Sequence, residues 1–163
     1  MSAEHYRRLI ARDVDGLIRQ IQAYGDEADL WTTPGGTGNS PGNLALHITG
    51  NLRLFIGHVL GGIEYTRDRD AEFSRKDVPR EELVGGLQTA ASAVDAALRD
   101  FPDDRLDELY PMEFGEHRLI TGRFLAHLCT HLAYHLGQID YHRRITTGQG
   151  AVKGIQGFQP LTN

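Results

Sequence analysis

The sequence has very little cysteine, since Cys129 is the only one among 163 residues. A lone cysteine excludes an internal disulfide framework and a cysteine-based zinc site. The sequence also lacks the run of about 20 apolar residues that a membrane-spanning helix needs, and it lacks a secretory signal. These absences predict a cytoplasmic protein that has no membrane partner.

The chain also lacks an excess of basic charge. Its 17 Lys and Arg residues are outnumbered by 22 Asp and Glu residues, which gives a net charge of -5. Because clustered Lys and Arg drive phosphate binding, this balance argues against a nucleic-acid partner. The hydrophobic share of 40% and the charged share of 24% are ordinary for a globular protein. We therefore expect one domain, residues 1–163, with a sizeable core.

Four stretches carry apolar residues three or four positions apart, which is typical of amphipathic helices. Ser40 followed by Pro41 favours a helix N-cap with proline at the first helical position. Four such helices and little strand signal predict an all-α four-helix bundle. The predicted helices cover residues 3–24, 41–60, 79–99 and about 121–147.

The segments between the predicted helices are less regular. Residues 64–80 are strongly charged and form either a solvated linker or a segment that shapes a site mouth or a dimer contact. Apolar residues alternate at 110–114, so a short hairpin that turns near Gly115 is expected before the last helix. The tail at 148–163 is rich in glycine and is predicted to be irregular.

Gly50, Gly57 and Gly61 lie near one another on one face of the second predicted helix. Glycine inside a helix costs roughly 1 kcal/mol relative to alanine, so a packing reason is expected. We predict that a neighbouring helix or a second subunit approaches this face closely.

The last predicted helix carries four histidines: His127, His131, His135 and His142. Residues four apart lie on one face, one turn from each other, so His127/His131 and His131/His135 form two overlapping pairs that can each hold an ion. His127 and His135 lie about 12 Å apart along the axis, too far to share one ion. Either pair therefore needs a further ligand from elsewhere in the chain.

A third imidazole is predicted to face the same part of the bundle interior as His131 and His135. His131 and His135 follow the repeat that faces the bundle interior, and His47 lies on the inward face of the second helix. Imidazoles that converge in an apolar bundle have few partners except a metal ion, each other or buried water. Three such ligands leave coordination positions open, as at a catalytic ion. The competing interpretation is a set of satisfied core histidines, because no H-E-x-x-H glutamate accompanies them.

The remaining candidate residues have mainly structural interpretations. We interpret His127 as structural or as a competing ligand, His142 as a cap of the bundle end, and His58 as structural. Cys129 is expected to pack in the interior rather than to act as a nucleophile. Asn51, one turn after His47, either orients a ligand or makes a core amide hydrogen bond.

Two stretches resemble the DinB/YfiT-like superfamily of four-helix-bundle metalloenzymes. They are residues 42–52, GNLALHITGNL, and residues 131–139, HLAYHLGQI, with the pattern His-x3-His-x-Gly-Gln. The resemblance covers residues 3–147. It implies an up-up-down-down style bundle with one long crossover, a divalent metal held by three histidines, and frequently a homodimer. Matched position by position, the ligands are His47, His131 and His135, which selects the second of the two overlapping pairs.

The resemblance also implies a function. Proteins of this kind include thiol-dependent transferases and a maleylpyruvate isomerase that uses low-molecular-weight thiols. We therefore expect a metal-dependent S-transferase or isomerase acting on small electrophiles, with zinc as the first candidate metal and nickel or iron as alternatives. Asn51, Tyr134 and Gln138 are candidates for supporting the ligands. The competing functions are a metal-dependent hydrolase and a non-catalytic metal-binding or stress-response bundle, while the acidic charge argues against a helix-turn-helix regulator.

Overall fold

The computed structural model describes residues 1–162, which form a helical bundle. None of the helices in this range is long and apolar enough to cross a membrane. The four predicted long helices are present, so the prediction of an all-α bundle is confirmed, and a short extra helix joins the second to the third. The helices are α1 (Ala3–Gln22), α2 (Pro41–Leu52), α3 (Arg69–Ser74), α4 (Arg80–Leu98) and α5 (Thr121–Thr147), with 3-10 turns at Glu27–Trp31, Asp103–Asp107 and Gln159–Leu161.

The core lies between the four long helices α1, α2, α4 and α5. α1 packs against α4 and α5, and α2 packs against the same two helices. Their apolar stripes are removed from water, which is the main force that holds such a bundle together. The apolar stripe of α1 is largely buried, and Ile10, Val14, Leu17 and Ile21 are at most 1% exposed.

α2 continues without a break into a π-helical turn, Arg53–His58. The wider hydrogen bonding there includes the bond from the Val59 amide to the Leu54 carbonyl at 3.0 Å. The Phe55 carbonyl accepts a hydrogen bond from the Tyr110 hydroxyl at 2.6 Å. The π-helical turn therefore joins α2 to the segment that precedes α5.

Gly57 and Gly61 allow this part of the chain to lie close against α4. A Cβ atom on Gly57 would stand 3.0 Å from the Ala93 Cβ, and one on Gly61 would stand 2.7 Å from the Ala97 Cβ. Both separations are at or inside the limit for carbon atoms that are not bonded. The predicted close approach of a neighbouring helix is therefore confirmed for Gly57 and Gly61, and that helix is α4.

The charged connection at 64–80 is mostly exposed, as in a solvated linker, but part of it folds against the bundle. It contains α3, which packs against α2. Asp68 begins this helix by accepting a hydrogen bond from the Ala71 amide at 2.9 Å. The Glu72 side chain points inward and is only 6% exposed. The connection therefore contributes a buried charge to the region around α2.

The predicted hairpin is present as a turn rather than as paired strands. The Tyr110 amide donates to the Leu119 carbonyl at 2.8 Å, and the Phe114 amide donates to the His117 carbonyl at 3.0 Å. Gly115 has φ of 61°, a left-handed conformation that glycine adopts without steric cost. The turn places Tyr110 and Phe114 against the first residues of α5.

The tail after α5 is mostly irregular, as predicted. α5 ends at Gly148, which adopts the left-handed conformation with φ of 68°. The buried Arg143 side chain donates to the Gly150 carbonyl at 2.8 Å and to Oε1 of Gln20 at 2.7 Å. These hydrogen bonds attach the start of the tail to α1.

Candidate metal centre

Three histidines from two helices meet at the edge of the core. His47 comes from α2, and His131 and His135 lie one turn apart on α5. Nε2 of His131 lies 3.4 Å from Nε2 of His47 and 3.1 Å from Nε2 of His135. One ring nitrogen of each residue lies within 4.8 Å of the others. The structure thus brings together the three residues that the resemblance implied.

His47 is oriented by an ion pair from the 64–80 connection. Its Nδ1 lies 3.0 Å from Oε2 of Glu72. Arg67 binds the same carboxylate with two nitrogens, at 2.6 and 2.8 Å. An ionised carboxylate only accepts hydrogen bonds, so Nδ1 of His47 carries the proton and its Nε2 keeps a free lone pair. The Glu72–Arg67 pair therefore directs Nε2 of His47 toward the cluster.

The two histidines of α5 have different surroundings. Nδ1 of His135 donates to Oε1 of Gln138 at 2.7 Å, which again leaves Nε2 with its lone pair. Nδ1 of His131 is buried and has no hydrogen-bond partner among residues 1–162. Gln138, a predicted candidate for supporting the ligands, is exposed, so it contacts His135 from the solvent side.

The environment of the two α5 histidines favours their neutral form. Burial, together with the nearby His135, His47, His127 and Arg67, lowers the pKa of His131 to about 4. Burial also lowers the pKa of His135, against the hydrogen bond to Gln138. Neutral imidazole is the form that binds metal ions, so these shifts reduce competition from protons.

Burial alone would raise the pKa of the Glu72 carboxyl. The hydrogen bonds from Arg67 and His47 outweigh this effect and bring the pKa below its ordinary value. Glu72 is therefore ionised at neutral pH, which is the form that accepts the His47 proton donor.

The geometry fits a metal ion. The lone pairs on Nε2 of His47 and His135 both face Nε2 of His131, which can donate only one N–H. A cation satisfies all three nitrogens at once. Nitrogens bound tetrahedrally to one zinc ion at about 2.0–2.1 Å stand about 3.3–3.4 Å apart. The separations of 3.4 and 3.1 Å in the cluster are close to that value.

Comparison with protein families agrees with this geometry. The model of the DinB superfamily matches residues 6–139. The chain belongs to the DinB superfamily. Comparisons with curated proteins and with solved structures find no match. The helical bundle and the three-histidine group together fit a metal-binding DinB-like protein.

Two further histidines of this DinB-like protein lie outside the cluster. His127 is exposed, and its ring stacks on that of Phe124 with centroids 6.0 Å apart. His142 is buried at the bundle end, where its Nδ1 lies 2.9 Å from the Tyr24 hydroxyl and its Nε2 lies 3.0 Å from the Thr32 carbonyl. His142 therefore has a structural position, as predicted.

Three other residues singled out from the sequence lie outside the three-histidine group. Burial raises the pKa of the Cys129 thiol to about 12, which agrees with a packing role. Asn51 is 7% exposed and lies one turn after His47. The exposed Tyr134 packs its ring 5.4 Å from that of His135. Asn51 and Tyr134 are thus close to the cluster without belonging to the three-histidine group.

Sequence reasoning missed Glu72 and Arg67. Both lie in a run of alternating charges, which predicts a solvated segment as readily as a buried ion pair. The available signal was Phe73, a large apolar residue within that run. Its ring lies 5.1 Å from the ring of His47, so it shows where the connection touches the bundle.

Two cavities flank the histidine cluster on opposite sides. One of about 540 Å³ is lined by His135, Gln138 and Tyr134 together with residues of the loop at 34–39. The other, of about 420 Å³, is lined by Asn51 and His127, one helical turn from His47 and His131. Both volumes fall in the range of about 300–1,000 Å³ that is typical of small-molecule sites.

Proposed function

We propose that this DinB-like protein is a divalent-metal-dependent enzyme that uses a low-molecular-weight thiol to modify a small electrophile, by S-transfer or isomerisation. In this proposal His47, His131 and His135 hold the ion, and zinc is the first candidate. The observation that carries it is the convergence of three imidazole nitrogens without a fourth protein ligand in the group found within residues 1–162. Such a set leaves coordination positions for a reactant, as catalytic rather than structural sites do.

The reactivity of the neighbouring side chains favours an external nucleophile. Glu72 is already bound by Arg67 and His47, and the raised pKa of Cys129 keeps its thiol protonated. A bound divalent ion supplies Lewis acidity that holds a thiol in its thiolate form at neutral pH. A thiol, with an ordinary pKa of about 8.5, needs less help from a general base than water with about 15.7.

The residues around the ion have a positioning role in this proposal. Glu72 and Gln138 fix the ring orientations of His47 and His135 through their Nδ1 atoms. The two flanking cavities offer separate places for a thiol and an electrophile. In S-transfer the thiolate sulfur forms a bond to carbon, the leaving group departs with its electron pair, and the thiol proton passes to solvent.

The test uses zinc-reconstituted and chelator-treated protein with N-acetylcysteine and 1-chloro-2,4-dinitrobenzene as probes. We expect thioether formation above the uncatalysed rate only with zinc, and no such rate for His131→Ala. Equal rates with and without chelator would remove the metal from the mechanism. Zinc binding that raises the melting temperature without turnover on any thiol and electrophile pair would favour the non-catalytic bundle. Ester hydrolysis that needs zinc but no thiol would favour the hydrolase.

A further inference from the structure

The smaller flanking cavity has an aromatic wall. Its volume is about 420 Å³, and it lies between the π-helical turn, the hairpin turn and the first turns of α5. Phe55, Phe114 and Phe124 line it, and their ring centroids stand 5.0–5.6 Å from one another at tilted or edge-to-face angles. A planar apolar group fits such a wall because aromatic rings favour offset and edge-to-face contacts.

The cavity also contains the side-chain amide of Asn51. The residue is 7% exposed, and its amide has no hydrogen-bond partner among residues 1–162 but remains accessible within the cavity. A ligand that supplies a polar group can therefore hydrogen-bond to this amide. Asn51 lies one turn from His47, which places this amide on the side of the cavity next to the histidine cluster.

The charge around the cavity has one sign. Arg123 lines it and has no carboxylate partner among residues 1–162. Arg67 lies over the ring of Phe55 at 5.4 Å from its centroid, but its charge is paired with Glu72, so Arg123 is the cation available to a ligand among the residues that line the cavity. No Asp or Glu lines the cavity. A guanidinium group with free N–H donors next to an apolar wall is suited to a carboxylate.

We propose that this cavity binds small aromatic carboxylates, with the ring against the three phenylalanines and the carboxylate at Arg123. Asn51 then meets a polar substituent on the ring or side chain, facing the histidine cluster. The proposal rests on the proposed function only in taking the ligand as the electrophile; the binding itself depends on Asn51, Arg123 and the aromatic wall, and not on the metal.

The experiment measures binding to metal-free protein by isothermal titration calorimetry, with phenylacetate, 2-phenylethanol and acetate as probes. We expect saturable phenylacetate binding, on the order of tenfold tighter than 2-phenylethanol, because a hydrogen bond to a charged group contributes about that much. Acetate, which lacks the ring, should bind more weakly than phenylacetate. Arg123→Gln should remove the preference for the acid over the alcohol.

Arg118→Gln is the matched control, since Arg118 is exposed like Arg123 but lies in the hairpin turn, pairs with Glu113 at 3.0 Å and does not line the cavity. It should leave phenylacetate binding unchanged. Equal affinity for the acid and the alcohol, or an equal loss in both arginine variants, would overturn the proposal. So would phenylacetate binding that appears only after zinc is added, because the carboxylate would then be a metal ligand. The absence of thiol-dependent turnover would overturn the proposed function alone and leave this binding result standing.

Discussion

A Cβ atom on Gly50 would lie 2.0 Å from Oε1 of Glu72, so the buried carboxylate occupies the space that a side chain at position 50 would fill. Glu72 uses that space to meet Nδ1 of His47 at 3.0 Å. Gly50, unlike Gly57 and Gly61, thus leaves room for a charged group rather than for a neighbouring helix. Through this group the connection between α2 and α4 determines the orientation of a candidate ligand.

Gly50→Ala should displace Glu72 and weaken both the fold and the site. We expect a loss of about 1–3 kcal/mol in the free energy of unfolding, because the carboxylate loses part of its buried hydrogen bonding. Gly85→Ala is the control, since a Cβ atom there meets nothing within 4 Å; it should stabilise α4 by about 0.5–1 kcal/mol. Urea unfolding of both variants checks this, and a neutral Gly50→Ala would contradict the packing argument.

Glu72→Gln should weaken zinc binding about 10–100-fold, the usual effect of losing a carboxylate behind a ligating histidine. Glutamine retains an oxygen that accepts from His47 but loses the charge that holds Arg67. Competition with a chromophoric chelator measures the affinity. Glu82→Gln, which removes an exposed carboxylate paired with Arg75 at 2.7 Å, should have no effect. Wild-type zinc affinity in Glu72→Gln would show that the negative charge of Glu72 does not contribute to metal binding.

Much of the bundle could be predicted because its signals are local. The apolar stripe of α1 and the Ser40–Pro41 start of α2 are readable from adjacent residues, and both are present. The spacing of His131 and His135 places them on one helix face whatever the rest of the fold does. Which of the two overlapping pairs joins His47 did not follow from spacing, and it was taken from the family resemblance.

The unpredicted features depend on contacts between distant residues. α3 has six residues, too few for an apolar periodicity to appear. Glu72 is buried only because Arg67 pairs with its carboxylate and Gly50 leaves space for it. Neither contact can be read from a run of mixed charges. Gln138 lies three residues after His135, at a spacing that continues the inward-facing repeat of the helix, and yet it is exposed. A repeat gives the direction of a side chain but not the position of the neighbouring helix.

The choice of histidine pair can be tested directly. His131→Ala and His135→Ala should each abolish stoichiometric zinc binding, because two imidazoles alone hold the ion weakly. His127→Ala should retain one zinc per chain, since His127 is exposed and lies outside the three-histidine group. Elemental analysis of untagged protein after dialysis gives the stoichiometry. An empty site in His127→Ala with a folded chain would show that the other overlapping pair is used.

The stability of the metal-free protein should depend on pH through His131. The unfolded residue has a pKa of about 6.5, whereas burial and neighbouring charges lower the folded pKa to about 4. Between these values the unfolded state binds a proton that the folded state does not. The free energy of unfolding should therefore be highest above pH 6.5 and fall as the pH drops toward 4.

The share due to His131 is at most about 1.4 kcal/mol per pH unit, the slope for one proton. Urea unfolding at several pH values between 6.5 and 5 measures it, in a range above the usual titration of carboxyl groups such as Glu72. His131→Gln should give a shallower slope, because glutamine does not titrate. The comparison uses slopes rather than absolute stabilities, so a destabilised variant remains informative. Parallel lines for wild type and His131→Gln would mean that His131 has the same proton affinity in the folded and unfolded chains, which contradicts its burial beside two other imidazoles.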